Sequence, residues 1–156
     1  MATIKKVIIR DVPKLKRDAK VEEVAKLLLD KPYGCAVIVE NETPIGIVTE
    51  LDLVRKIASQ DNKFFKEPVS KIMSSPILTI SPSTNMEEAL KTIDTKRFRR
   101  YPVVDNNKLI GIVYKKDIIN AVSYRYKLHR SIQIIVLLAF ILFELVTFIF
   151  FAYFVK

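Results

Sequence analysis

The chain matches itself. Shifted by 65 residues, positions 21–54 align with 86–119 without a gap, and 11 of the 34 pairs are identical, among them Glu22/Glu87, Val39/Val104, Asn41/Asn106, Gly46/Gly111 and Asp52/Asp117. Most other pairs are conservative, such as Tyr33/Phe98 and Leu53/Ile118. A repeat of this length constrains the fold more than any composition does. Each copy is one supersecondary unit, and such units bury a core by packing on one another.

Each copy carries the same order of signals. A short extended piece stands at 14–16 and again at 77–80. Residues 21–30 and 86–95 show apolar positions at helical spacing. Thr84 with Glu87 reads as a capping box for the second of these helices, and Asp18 is the candidate cap of the first. Two apolar strands follow, 36–39 with 45–48 and 103–104 with 109–113. Polar turns join them, Glu40-Asn41-Glu42-Thr43 and Asp105-Asn106-Asn107-Lys108. A second helix closes each unit, over 51–59 and from about 117. The predicted class is α+β, an α/β sandwich-like arrangement of two β-α-β-β-α repeats. One unit cannot cover both faces of its sheet, whereas two packed sheet to sheet about a pseudo-twofold axis can. The two related clefts between them are natural ligand sites.

The C-terminal stretch is of another kind. Residues 132–155 are apolar at 21 of 24 positions, the exceptions being Gln133, Glu144 and Thr147. About 20 apolar residues suffice to cross a bilayer as a helix. Arg125, Lys127 and Arg130 precede the span and only Lys156 follows it, which places the body on the cytoplasmic side as a tail-anchored protein. The competing reading, a buried core helix, needs a larger body to hide an all-round apolar surface. The expected division is a first repeat at 5–59, a linker at 60–75, a second repeat at 76–123, a basic juxtamembrane segment at 124–131 and a transmembrane helix at 132–155.

Composition excludes several classes. One cysteine, Cys35, allows no intrachain disulfide and no multi-cysteine metal site, and one histidine, His129, gives little basis for a histidine-centred triad or a zinc site. Three glycines exclude the usual glycine-rich phosphate loops. No nucleophile–base pair stands out, so no enzyme, no catalytic cofactor and no metal is expected. The net charge of +9 falls within residues 1–131, because Glu144 and Lys156 cancel. Seven basic residues lie within 5–20 and others beside the span, which suits an anionic membrane surface and anionic ligands better than nucleic acid.

The repeat spacing, the Arg-Tyr-Pro-Val-Val-Asp run at 100–105 and the Gly-Ile-Val-Thr-Glu-Leu-Asp run at 46–52 resemble a tandem CBS-domain pair, or Bateman module, over roughly residues 5–123. The motif has its own chemistry. Thr49 offers a hydroxyl beside the N-terminus of the next helix, where N–H groups favour a phosphate. Asp52, three residues on, can accept both hydroxyls of a ribose. Equally, Thr49 can be an N-cap and Asp52 a first-turn acid favoured by the helix dipole.

The resemblance implies a regulatory module that binds an adenosine ligand (AMP, ADP, ATP or S-adenosylmethionine) between the repeats and often dimerises. Carried onto this sequence, it implies one site made by Ile47, Thr49 and Asp52 with Ile77, Leu78, Arg99, Arg100, Tyr101 and Lys116. Arg99 and Arg100 fill its phosphate-contacting positions, suited by the guanidinium fork. The related site would join Tyr114 and Asp117 to Gly34, Cys35 and Ala36. It is expected to be weaker, since Tyr114 replaces the hydroxyl residue and the entry strand offers no arginine. The expected function is a membrane-anchored adenosine-nucleotide sensor acting on a transporter or channel. The rival is a scaffold that keeps the fold for dimerisation or assembly with a membrane protein and binds no ligand.

Overall fold

The two hairpins that the turns predict are both present. The computed structural model describes residues 2–30, 33–59, 62–96 and 98–154, and for Ser59, Asn62 and Lys63 the backbone alone. Strands β2 (Cys35–Glu40) and β3 (Thr43–Thr49) pair antiparallel, as do β4 (Arg100–Asp105) and β5 (Lys108–Tyr114). Asn41 and Glu42 sit at φ 48° and 66°, Asn106 and Asn107 at 47° and 64°. Two successive left-handed residues make the tight turn whose twist matches that of the strands. Lys108 pairs with Glu42 across the two turns at 2.8 Å.

Strand β1 (Lys14–Lys16) adds to β2 in parallel, giving a three-stranded sheet. Its expected counterpart at 77–80 shrinks to one bridge, Ile80 with Val103, so the second sheet has two strands. The cause is one residue. In the first repeat the Val37 N–H donates to the Pro13 carbonyl at 2.9 Å. The equivalent position is Pro102, which has no N–H to give to residue 78.

The helices repeat the pattern. Helix α1 (Val21–Asp30) buries Val21, Val24 and Leu28, and α3 (Met86–Asp94) buries Met86, Ala89 and Ile93, each 65 residues on. The cap of α3 is Asn85 rather than Thr84, its side chain accepting from the Glu88 N–H at 2.9 Å. At α1 the Glu23 carboxylate takes the Lys20 N–H at 3.0 Å, which leaves Asp18 two residues too early to cap. Helix α2 (Glu50–Ser59) closes the first repeat. Helix α4 (Lys115–Phe154) follows β5, and its 40 residues are long and apolar enough to cross a membrane. By contacts the chain divides after Ile118 into two units.

Within the first unit the repeats exchange their leading segments. Residues 67–74, expected as linker, pack on the first repeat: Val69 N–H donates to Ala19 O at 2.7 Å, Val21 N–H to Glu67 O at 3.0 Å, and Ser74 pairs with Ile47. Residues 2–9 do the same for the second repeat: Ile4 N–H donates to Thr84 O at 2.9 Å, Met86 N–H to Ala2 O at 3.1 Å, and Ile9 pairs with Ile112. Every bond in one set maps onto the other by 65 residues. Ile4 and Val69 are both fully buried at equivalent places.

Strand alternation then sorts the core into two layers. Ala36, Ile38 and Val48 face the helices, with Val21, Val24 and Leu28. Cys35, Val37 and Ile47 face the other repeat and meet Leu109 and Ile112.

Candidate functional site

The ends of β3 and β5 lie where the repeats approach each other. The Glu50 N–H donates to the Gly34 carbonyl at 3.3 Å, and its counterpart Lys115 to the Arg99 carbonyl at 2.9 Å. At the first of these ends Thr49 and Asp52 are locked together. The Thr49 N–H and hydroxyl both donate to Asp52 Oδ2, at 2.8 and 2.7 Å, and the Asp52 N–H donates back to Thr49 Oγ1 at 3.4 Å. The capping role that the residues allow is thus realised, and it fixes the hydroxyl and the carboxylate side by side at the N-terminus of α2.

Arg100 stands near the same end, with Gly34, Glu50 and Tyr114 as its neighbours. Its guanidinium carbon stands 5.5 Å from the centroid of the Tyr114 ring. A Cβ placed on Gly34, whose φ is +60°, would lie 2.6 Å from Arg100 Nη2 and 3.0 Å from Glu50 Oε2. Gly34 therefore makes room for the guanidinium between the repeats. Arg100 Nε is buried and has no hydrogen-bond partner among the described residues. Lys116 Nζ lies 5.4 Å from the same Tyr114 ring. Both cations thus flank Tyr114, so the second cleft, expected to lack phosphate donors, is supplied with positive charge from its own repeat.

Tyr114 itself crosses between the repeats, its hydroxyl donating to the Tyr33 carbonyl at 2.7 Å. Burial holds its phenol above the ordinary range, with Cys35 and Asp117 adding to the effect and Arg100 opposing it. The equivalent place in the first repeat holds the shorter Thr49.

Three expected site residues point elsewhere. Tyr101 is fully buried, and its hydroxyl donates to the Phe98 carbonyl at 2.9 Å. Ala36, its equivalent in the first repeat, lies in the helix-facing core. Both stand one residue past a cleft-facing position, and alternation turns them away. Ile77 packs on the layer between the repeats but belongs to the opposite end of β3. The chain from Ser74 runs antiparallel to that strand, with Ser74 on Ile47 and the Ser75 hydroxyl on the Ile45 carbonyl at 2.9 Å. Each further residue recedes from Thr49, and Ile77 lines a cavity of about 440 Å³ with Thr43, Pro44 and Asn107. Leu78, half-buried, follows it. Ile47 is buried behind Thr49 and contributes floor rather than a polar contact. Arg99 is exposed and holds Lys115 through its backbone. Glu50, which the sequence did not single out, stands beside Arg100; its signal was its place between Thr49 and Asp52.

Cys35 lies fully buried on the inter-repeat face. Burial pushes its thiol up to about 11, against a smaller opposing pull from Arg100. Native protein is expected to resist iodoacetamide at neutral pH and to label at once in denaturant; rapid labelling of the folded chain would contradict this. The sign for stability follows. Above pH about 9 the unfolded chain sheds this proton first, so stability falls as pH rises from about 9 towards 11.

A paired-repeat α+β module whose two sheets meet over a shared apolar layer is therefore the class that the fold defines. Residues 4–59 and 69–124 each match the CBS domain, and the chain belongs to the CBS-domain family. It is 41% identical over 104 residues to an uncharacterised protein of Methanopyrus kandleri, covering 65% of this chain and 53% of that one. The chain spans about half the length of this relative and of a second archaeal one. Among solved structures it is similar to a CBS-domain protein of Agrobacterium tumefaciens (27% identity, TM-score 0.68, covering 77% of this chain and 98% of that one). It is also similar to the CBSX2 protein in complex with AMP (26% identity, TM-score 0.66, covering 81% and 99%). CBS domains are in general regulatory units, and among the described residues no group of three His, Cys, Asp or Glu side chains can hold a metal ion.

Proposed function

We propose that this chain is a membrane-tethered regulatory module that binds an adenosine nucleotide between its repeats and passes the bound state to a membrane partner. One observation carries the reading: among the described residues Arg100 Nε is buried without a hydrogen-bond partner, in a guanidinium beside Tyr114 and Glu50, the residue that follows Thr49. An unsatisfied buried donor costs about 1–3 kcal/mol, and a phosphate oxygen would satisfy it. Thr49 and the N-terminus of α2 serve the phosphate, and Asp52 serves the ribose. The similar CBSX2 protein holds AMP, which supports the ligand class. In the second cleft Asp117 keeps the ribose acceptor while Tyr114 occupies the room. Helix α4 exposes an apolar window none of which is buried within the chain, and a bilayer is the medium that covers such a surface. A transporter or channel is the partner class proposed, and association of two chains through the repeats accompanies it.

The scaffold reading gains from one observation, the tyrosine standing where a ligand hydroxyl residue would be. Thermal melts of the full chain in detergent separate the two. AMP at 100 times its Kd is expected to stabilise by about 2.7 kcal/mol, with one nucleotide per chain. Thr49→Ala should shrink the shift and Tyr114→Thr should raise the stoichiometry towards two. No shift with AMP, ATP or S-adenosylmethionine would favour the scaffold.

A further inference from the structure

The three polar residues in the apolar span of α4 share one face. From Gln133 to Glu144 is about three helical turns, and Thr147 lies about one turn further. Positions 133, 137, 140, 144, 147 and 151 step alternately by four and three, the spacing of a seam between two helices. All three polar residues of the span fall on this line, with Leu137, Phe140 and Phe151 between and beyond them. Every other position from 132 to 154 is apolar. The Thr147 hydroxyl is satisfied within the helix, donating to the Glu144 carbonyl at 2.8 Å. Among the described residues the Gln133 amide and the Glu144 carboxyl make no hydrogen bond. Glu144 lies near the middle of the span, where hydrocarbon supplies no partner for its carboxyl, and polar side chains at that depth face another helix.

We infer that this line is the contact seam between the α4 helices of two copies of this chain, packed parallel. The inference rests on the membrane tether proposed above. The choice of a second copy comes from the chemistry of the seam. In a parallel pair at equal depth each residue meets its own counterpart. An amide carries both donor and acceptor, so Gln133 satisfies itself across the pair, and the two Glu144 carboxyls meet at the same depth, where one proton shared between them makes a hydrogen bond. The basic residues Arg125, Lys127 and Arg130 precede the span in every copy, which orients all copies alike and sets their depth. A helix bearing lysine or arginine would instead pair with Glu144 alone and leave Gln133 without a matching layer.

The test uses the full chain with Cys35→Ala and one new cysteine, Leu137→Cys on the seam or Leu138→Cys about 100° away. Each is reconstituted at low protein-to-lipid ratio in phosphatidylcholine–phosphatidylglycerol vesicles, floated on a gradient and oxidised. The floated Leu137→Cys chain is expected to crosslink at least fivefold more than the Leu138→Cys chain. Adding Gln133→Leu with Glu144→Leu should cut the Leu137→Cys yield roughly tenfold, and Glu144→Gln should keep it. Floated chains that crosslink equally at both positions overturn the seam and leave the tether standing. So does a Leu137→Cys chain joined only to a different protein when membrane extract is added. An undiminished yield after removal of both polar groups overturns it as well. Chains that fail to float overturn tether and seam together.

Discussion

Gly111→Ala is expected to destabilise the repeat pair by about 3 kcal/mol, a fall of roughly 10 °C in melting temperature. A Cβ at this position would strike the Ile9 carbonyl oxygen and crowd Ile8 Cγ2 at 2.5 Å. The obstacle is backbone, and Ile9 holds it in place with two 2.9 Å bonds to Ile112. Relief therefore means unseating the leading segment from the second repeat. Gly46 is the same residue in the other copy, yet its Cβ would meet only the side chain of Met73. A methionine has three torsions with which to step aside, so Gly46→Ala should cost about 1 kcal/mol. Denaturant titration of the two variants side by side decides the matter, and equal losses would refute the exchange of segments as the source of the difference.

Asp52→Ala is the second large effect. A carboxylate that accepts ribose hydroxyls through charge-assisted hydrogen bonds contributes about 1.5–3 kcal/mol, so AMP affinity should fall about 10- to 100-fold. The same carboxylate takes the Thr49 N–H and hydroxyl, and losing such a cap costs about 1 kcal/mol of stability. Asp52→Asn distinguishes the roles. Its amide oxygen still accepts the Thr49 N–H, so the melting temperature should recover while affinity stays about tenfold down. Calorimetry giving wild-type AMP affinity in both variants would remove Asp52 from the site.

Much of the architecture was legible because it is written twice. The 65-residue offset predicts which residues occupy equivalent places, and the buried triplets of α1 and α3 and the paired left-handed turns follow it. The departures have local causes. Pro102 removes one donor and with it most of a strand, and Asn85 takes the cap because it lies next to the first helical residue. The site was less legible. Motif resemblance carries no strand phase, so Tyr101 and Ala36 were grouped with neighbours that point the other way. The position of Ile77 depends on the direction in which a connecting segment runs along β3. The sequence puts Arg100 at a strand entry, whereas its neighbours there, the Tyr114 ring and Glu50, follow only from the two repeats being in contact.

The exchange of leading segments bears on how the molecule is made. Contacts such as Ile9 with Ile112 join residues far apart in the chain, and closing such a loop carries an entropic cost that slows folding. Residues 67–74 reach the first repeat through the chain that directly follows it, whereas the second repeat waits for residues 2–9 from the far end of the chain. The second repeat therefore gains its full set of bonds only when it closes on the N-terminal segment, while the first can be completed ahead of it. A nucleotide held between the repeats would bind only after that closure and would act chiefly on how long the closed state lasts.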